Sequence, residues 1–396
     1  MGLSRREWII SVFGLLVVLA IRVYAFPMVA DDFTYYFNGW ITAVRERGMA
    51  AWNPESFANY SPTNFYAIWA SMQIGDLLGF PGSNLAILKV TTLGGDLLLG
   101  LSSAVLVSTL GRPRFSAVLA ALTVWLSPTL FLNSAWWGQF DAWYAAFLIL
   151  SVAALIRNRV VLSVFFFAVS FTWKAQGLFI LPALGPFWIL ATGFEPRKCA
   201  RTVLLSAGAI FLAYGMAAFP AWTEGLRWSG ILEIYAGQKD AYHALSMNAP
   251  NVYSLFPGAD YDRWVPIGIA IGLSFSLAIA ALIFAAIFTG VRKTWSAVEK
   301  LEWLLLSAIF IPLVLPKMHE RYFFIAETLA SVLLVVRRDL RAAGVWLILQ
   351  AVALRTYGGY LFGWPSPPFA VLVPALLVGI FLVARGLRLR ITPRSV

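Results

Sequence analysis

Asp31 and Asp32 stand side by side just past the first apolar segment, where a carboxylate meets both water and substrate. Paired acids suit two tasks: one acts as a general base, or both hold a divalent metal. A solvated pair closing a helix is the plain alternative. Further along, the run WWGQFDA (136–142) sets Trp136, Trp137, Gln139 and Asp141 around Gly138. Gln139 and Asp141 suit hydrogen bonds to sugar hydroxyls, the tryptophans offer flat faces for a ring or a lipid, and Gly138 allows close backbone approach. Lys174 and Gln176, in WKAQ (173–176), occupy a short turn between two apolar segments. A lysine there either serves a site or snorkels to the headgroups. The densest cluster is PKMHERYFF (316–324), where Lys317, His319 and Arg321 gather beside Glu320. Two fixed cations and an imidazole suit a phosphate or pyrophosphate, since Arg binds bidentately and Lys adds a compact charge. His243, in QKDAYHALSMNAPNVYSLF (238–256), is a weaker candidate for shaping a substrate site. Arg22 and Asp96 are ionisable residues within apolar segments and are functional candidates on that ground, although Arg22 is also placed to snorkel.

The elements that must position these residues are membrane helices. The chain has 396 residues, 60% hydrophobic and 12% charged, with mean hydropathy +0.77, which marks an all-α polytopic membrane protein. Apolar segments run from roughly Trp8 to Phe26 and over 88–110, 115–133, 141–156, 160–173, 177–194, 202–221, 264–290, 301–315, 322–336, 342–354 and 369–384. They make about twelve spans in a single transmembrane domain over 1–396, several shorter than the roughly 20 residues a lone span needs. The first segment is too long for a signal peptide and lacks a small-residue cleavage site, so it reads as a retained span. The basic connections hold 19 of the 30 Lys and Arg but only five of the 19 Asp and Glu. They are therefore assigned with both termini to the cytoplasmic side, and the polar clusters to the extracytoplasmic side. The basic balance reports topology rather than nucleic-acid binding. With Cys199 alone, no disulfide forms within the chain. No GxxxxGK[ST], CxxC, HExxH or GxSxG pattern is present, which removes support for ATP-driven transport, zinc chemistry and a serine-hydrolase elbow.

Two outer connections are long, about 27–87 and about 222–263. In the first, Phe33, Phe37, Trp40, Ile41 and Val44 recur at helical spacing and Arg45, Glu46 and Arg47 end the run. A second stretch, about 64–79, sets Phe65, Ile68, Trp69 and Met72 on one face. Both predict amphipathic helices lying in the outer interface. Asp76 and the polar side of the second stretch argue against a crossing there.

The order of these clusters resembles the GT-C superfamily of polyprenyl-phosphate-dependent glycosyltransferases. It is most similar to the dolichyl-phosphate-glucose glucosyltransferases of the N-glycan pathway and their bacterial relatives. The family's Asp-aromatic pair, followed by Trp, matches Asp32, Phe33 and Trp40, and its Tyr-Pro-Pro opening matches Tyr60, Ser61 and Pro62 with a departure in the middle. Its span-two Asp matches Asp96, and its Lys-Gln turn resembles Lys174-Ala175-Gln176 with one extra residue. Its Val-His-Glu-Lys resembles Met318-His319-Glu320-Arg321. The resemblance covers roughly 30–330 and implies a GT-C fold and a catalytic Asp at Asp32. It also implies transfer of a hexose, mannose or glucose, from a polyprenyl-phosphate carrier to a lipid-linked or glycan acceptor, with inversion. Asp32 would take the acceptor's proton with Asp31 orienting it, and Lys317, His319, Arg321 and Lys174 would hold the donor phosphate. Gln139, Asp141, Trp137, Tyr60, Gln176 and His243 would contact substrate. No cofactor is expected, although a divalent metal at Asp31 and Asp32 stays open. Short loops point to a bacterial inner (plasma) membrane.

The main alternative is a transporter or flippase of a polyprenyl-linked glycan. That reading expects paired broken helices and a midplane site, whereas the polar residues here gather at one surface. Another enzyme on the same lipids, such as a polymerase or ligase, is a second alternative.

Overall fold

The computed structural model describes residues 3–52, 60–79, 82–225, 227–238, 244–256, 261–289 and 294–388. Helix α1 (Arg5–Ala25) leads through a π turn, Phe33–Phe37, into α2 (Asn38–Arg47), and α3 (Pro62–Leu77) and α4 (Asn84–Thr109) follow. Next, α5 (Arg114–Leu126) and α6 (Pro128–Phe131) run into a second π turn, Leu132–Trp136, before α7 (Asp141–Ile156) and α8 (Val160–Trp173). A 3-10 turn at Ala175–Ile180 precedes α9 (Leu181–Thr192), α10 (Pro196–Thr223) and α11 (Gly230–Gln238). The remainder is α12 (Tyr261–Thr289), α13 (Ala297–Val314), α14 (Phe324–Arg337), α15 (Leu340–Phe362) and α16 (Phe369–Arg388). Two short strands, β1 (Ser246–Met247) and β2 (Met318–His319), pair in parallel.

The chain is an all-α polytopic membrane protein. Among the described residues six helices are long and apolar enough to cross a membrane, or seven if the bent pair Arg114–Leu126 and Pro128–Trp136 is one span. The expectation of about twelve also counts helices that are short or charged. The 16 residues of α7 and 14 of α8 rise about 24 and 21 Å, less than the ~30 Å hydrocarbon core. The segment read as one span over 115–133 bends by 59° after Leu126. Pro128 supplies no N–H to continue the helix, and the Thr129 N–H bonds instead to Gln350 Oε1 at 3.2 Å.

The helices divide into two compact units. The first comprises Met1–Leu126, Leu130–Gly177 and Pro196–Ala241. Within it α4 packs on α5 and α7, α7 on α8, and α8 on α10. Small residues set these approaches: a Cβ at Gly100 would fall 2.2 Å from Trp125 Cε2. Trp125 closes the contact by donating its indole N–H to Asp96 O at 2.7 Å.

The two helices expected in the first long loop form as α2 and α3. Phe37, Ile41, Val44, Phe65, Ile68 and Met72 join one buried cluster with Phe140 and Trp52. The start of α3 does a second job: Ser61 and Thr63 hydroxyls donate to Thr172 O, the latter at 2.8 Å, and Asn64 Nδ2 donates to Trp173 O at 3.2 Å. These bonds satisfy carbonyls that the end of α8 leaves without intrahelical donors. Tyr66 then ties α3 to α10, donating to Ala217 O at 3.0 Å and accepting from Ala221 N–H at 2.8 Å. Burial raises the pKa of its hydroxyl, which keeps it a neutral donor.

Between α1 and α4 runs an ion pair, Arg22 to Asp96, with Arg22 Nη1 also donating to Ser134 Oγ at 2.9 Å. Arg22 therefore does not snorkel; its charge is met inside the unit.

The second unit holds Ser127–Thr129, Leu178–Glu195 and Tyr242–Val396. There α9 packs on α12 and α13, and α13 to α16 form a helical group. Fully buried Glu327 accepts from the Thr129 hydroxyl, which also reaches Gln350 Oε1 at 3.0 Å.

Removing one member of the Arg22–Asp96 pair strands a buried charge. Arg22→Leu is expected to lose about 3–5 kcal/mol of stability, with Arg22→Leu/Asp96→Leu recovering part of it, measured by thermal unfolding in detergent.

Candidate functional site

Asp32 closes the start of the first π turn and is half-buried. Its Oδ2 accepts two hydrogen bonds, from Trp137 Nε1 at 2.9 Å and from Gln139 Nε2 at 2.5 Å. Gln139 is itself fixed, because its Oε1 accepts the Tyr60 hydroxyl at 2.8 Å. With its oxygen taken by a phenol, the amide presents its N–H to the carboxylate. Two such bonds hold the carboxylate in one orientation. Aromatic rings pack around this relay: Phe37 lies edge-on to Phe140 at 5.3 Å and Tyr60 lies 5.2 Å from Trp40.

The donors come from a turn held on several sides. Residues 132–136 form the second π turn, and the Trp137 N–H bonds back to Leu132 O at 2.9 Å. Lys89, buried on α4, donates Nζ to Ala135 O at 2.6 Å and Trp136 O at 2.9 Å. A cation on the exposed carbonyls of a helical turn completes them and opposes their dipole. Gly138 has φ +87°, and a Cβ there would sit 2.6 Å from Leu88 Cδ2. On the far side, Lys174 Nζ meets Asp141 Oδ1 at 2.7 Å while Asn133 Nδ2 donates to Asp141 Oδ2 at 2.9 Å. Lys174 Nζ also lies 4.7 Å from the centre of the Tyr60 ring. That cation–π contact links the ion pair to the Tyr60–Gln139–Asp32 relay.

These contacts revise several expected roles. Trp137 is 1% exposed, so it serves as a hydrogen-bond donor and offers no face to a ring or lipid. Lys174 and Asp141 are 4% and 1% exposed; they neutralise each other beneath Tyr60, and Lys174 neither snorkels nor presents a free cation. Asp31 is exposed and makes no hydrogen bond or ion pair among the described residues, so the orientation of Asp32 comes from Trp137 and Gln139 instead. Gln176 is half-buried in the 3-10 turn after α8. His243 lies outside the described residues.

Lys89, Asn133 and Ser134 were not singled out from sequence. The signal for Lys89 was present, since it is an ionisable residue at the start of an apolar segment, the rule that picked out Arg22 and Asp96.

The cationic cluster belongs to the second unit. Strand β2 aligns Met318 with Ser246 and His319 with Met247, and the Lys317 N–H bonds to Leu245 O at 2.8 Å. Lys317 takes φ +62°, a conformation that costs a residue with a Cβ and concentrates at functional positions. His319 lies edge-on to Tyr322 at 5.3 Å. Arg321 stands 3.6 Å from the Glu320 carboxylate and 5.9 Å over the Tyr322 ring. The segment thus holds Lys317, His319 and Arg321 on a short, hydrogen-bonded stretch of this unit. Among the described residues no group of three or more His, Cys, Asp or Glu is placed to hold a metal ion.

No family model matches the chain, and no curated protein matches it. Among solved structures it is similar to the Archaeoglobus fulgidus oligosaccharyltransferase, crystallised tethered through a disulfide bond to an acceptor peptide containing the NVT sequon. The TM-score is 0.43 at 12% identity, covering 96% of this chain and 55% of the other. This chain spans about half the length of that enzyme.

The turn that grips Asp32 is sensitive at Gly138. Gly138→Ala is expected to cost about 1–3 kcal/mol through overpacking and its positive φ. Gly185→Ala, where a Cβ meets nothing within 4 Å, is expected to be neutral or stabilising by up to about 1 kcal/mol. Paired denaturation curves in detergent check both.

Proposed function

We propose that the chain is a glycosyltransferase of the GT-C type. In this reading it moves a hexose, mannose or glucose, from a polyprenyl-phosphate carrier to a lipid-linked or glycan acceptor on the extracytoplasmic face. The observation that carries the reading is the Asp32 carboxylate held on Oδ2 by Trp137 and Gln139, with Gln139 locked by Tyr60. A half-buried carboxylate oriented by two buried donors is arranged as a base rather than as a solvated helix end.

In the proposed reaction Asp32 takes the proton of an acceptor hydroxyl. The hydroxyl oxygen forms a bond to the anomeric carbon as the carbon–oxygen bond to phosphate breaks, and the electron pair leaves on the phosphate. In-line attack inverts the anomeric centre. Phosphate is a weak base and leaves without a proton, so the departing charge needs stabilisation rather than acid catalysis. Lys317, His319 and Arg321 are assigned that role on their chemistry. Lys174 is not, because its charge is spent on Asp141.

The test is transfer of labelled sugar from synthetic polyprenyl-phosphate mannose or glucose to a lipid extract, using the full chain. Asp32→Asn is expected to lower transfer by about 100-fold or more and Asp31→Ala to leave it near wild type. Tyr60→Phe should cost about 2- to 10-fold, the worth of one neutral hydrogen bond. Lys317→Asn, which tolerates the positive φ, and Arg321→Gln should each cost about tenfold or more. Activity that survives EDTA supports a metal-independent base, whereas loss with EDTA makes Asp31 and Asp32 a metal site. A folded protein that transfers no sugar but moves these lipids across a bilayer overturns the reading in favour of a flippase.

A further inference from the structure

The interfacial helices of the first unit enclose a cavity of about 360 Å³ that the proposed chemistry does not use. Its volume falls within the range of small-molecule sites, about 300–1,000 Å³. The wall is apolar, built by Phe26 past the end of α1, Met72 and Gly75 on α3, and Ala86, Ile87 and Val90 on α4. Two charged residues, Arg45 in the last turn of α2 and Asp76 in the last turn of α3, also line it, and both are exposed.

The two charges are held differently. Arg45 Nη2 donates to Gly82 O at 3.0 Å and to Asn84 Oδ1 at 3.2 Å, which pins the guanidinium at the cavity edge. Nothing else among the described residues bonds to it, so most of its five donors stay available. The Asp76 carboxylate has no hydrogen bond or ion pair among the described residues, and the two side chains do not pair with each other. Beside them Ile74, Leu77 and Leu78 are 51%, 85% and 63% exposed. Apolar side chains this exposed at the end of an apolar helix of a membrane protein belong against lipid, so the occupant arrives from the membrane.

Charge then selects among membrane lipids. A purely anionic headgroup would meet Asp76, and an uncharged lipid would leave Arg45 without a role. A phosphate joined to a primary ammonium satisfies both, and its N–H groups can donate to the carboxylate where a quaternary amine cannot. We propose that the cavity binds an acyl chain of a phospholipid with a primary-amine headgroup, its phosphate on Arg45 and its ammonium on Asp76. The site stands independently of the transfer reaction.

The test is native mass spectrometry of the full chain in detergent, titrated with phosphatidylethanolamine, phosphatidylglycerol and phosphatidylcholine of matched acyl chains. One phosphatidylethanolamine should be retained in preference to the others by about three- to fivefold, the range of a single exposed ion pair. Asp76→Asn, a surface change that leaves the core intact, should erase that preference. Arg45→Gln should weaken retention of all three lipids, and Ala86→Phe should fill the cavity and abolish retention. Equal retention of the three lipids by the wild type, a preference unmoved by Asp76→Asn, or retention of a polyprenyl phosphate in place of phospholipid would each overturn the proposal.

Discussion

Burying charge among apolar helices is tolerated only where each ion is met by a partner, and that requirement organises the first unit. An unpaired ion there costs several kcal/mol, and a paired one costs little only if its geometry is good. Two buried lysines and the partly buried Arg22 converge on one segment. Arg22 reaches Asp96 and Ser134, Lys89 takes the carbonyls of Ala135 and Trp136, and Lys174 takes Asp141 beside Asn133. Each is anchored on a different helix or turn, so residues 133–141 are fixed from several directions at once. No single apolar contact constrains a turn in this way, because dispersion has no direction.

The consequence is a rigid holder for Asp32. The acid sits on a chain segment that approaches from α1, and the groups that orient it, Trp137 and Gln139, are presented by the ion-anchored turn. Both partners involve π turns, Phe33–Phe37 after the acid and Leu132–Trp136 before its donors. These wider turns re-aim side chains that a continuous α-helix would point elsewhere. The proposed role as a base needs a carboxylate whose position is set before substrate arrives, and the contacts from Lys174 through Tyr60 and Gln139 hold Asp32 in that way.

The second unit is built on a different device. Its cations ride on a two-residue strand pair and a left-handed Lys317, where backbone hydrogen bonds rather than ion pairs fix the positions. Its buried polar residues, Glu327, Thr129 and Gln350, sit where α6 begins and meet the groups that the proline break frees.

Much of the architecture was legible in the sequence, because helix positions follow hydrophobic periodicity and a membrane leaves the backbone few alternatives to helix. The segments 141–156 and 160–173 coincide with α7 and α8, and both helices expected in the long loop form, with Phe37, Ile41, Val44, Phe65, Ile68 and Met72 buried. Asp32 and Gln139 stand out in the sequence as polar residues beside apolar segments, whereas Tyr60 is singled out only through the family resemblance. What the sequence left undecided was which polar group answers which. The sequence alone leaves Lys174 a free cation, Trp137 a stacking face and Arg22 a functional candidate also placed to snorkel; the fold pairs Lys174 with Asp141, buries the Trp137 indole against Asp32 and closes Asp96 on Arg22. Those pairings join residues 33, 105 and 74 positions apart. Local pattern sets where helices begin and end, whereas the partner of a buried charge depends on which helices pack together, and only the tertiary structure decides that.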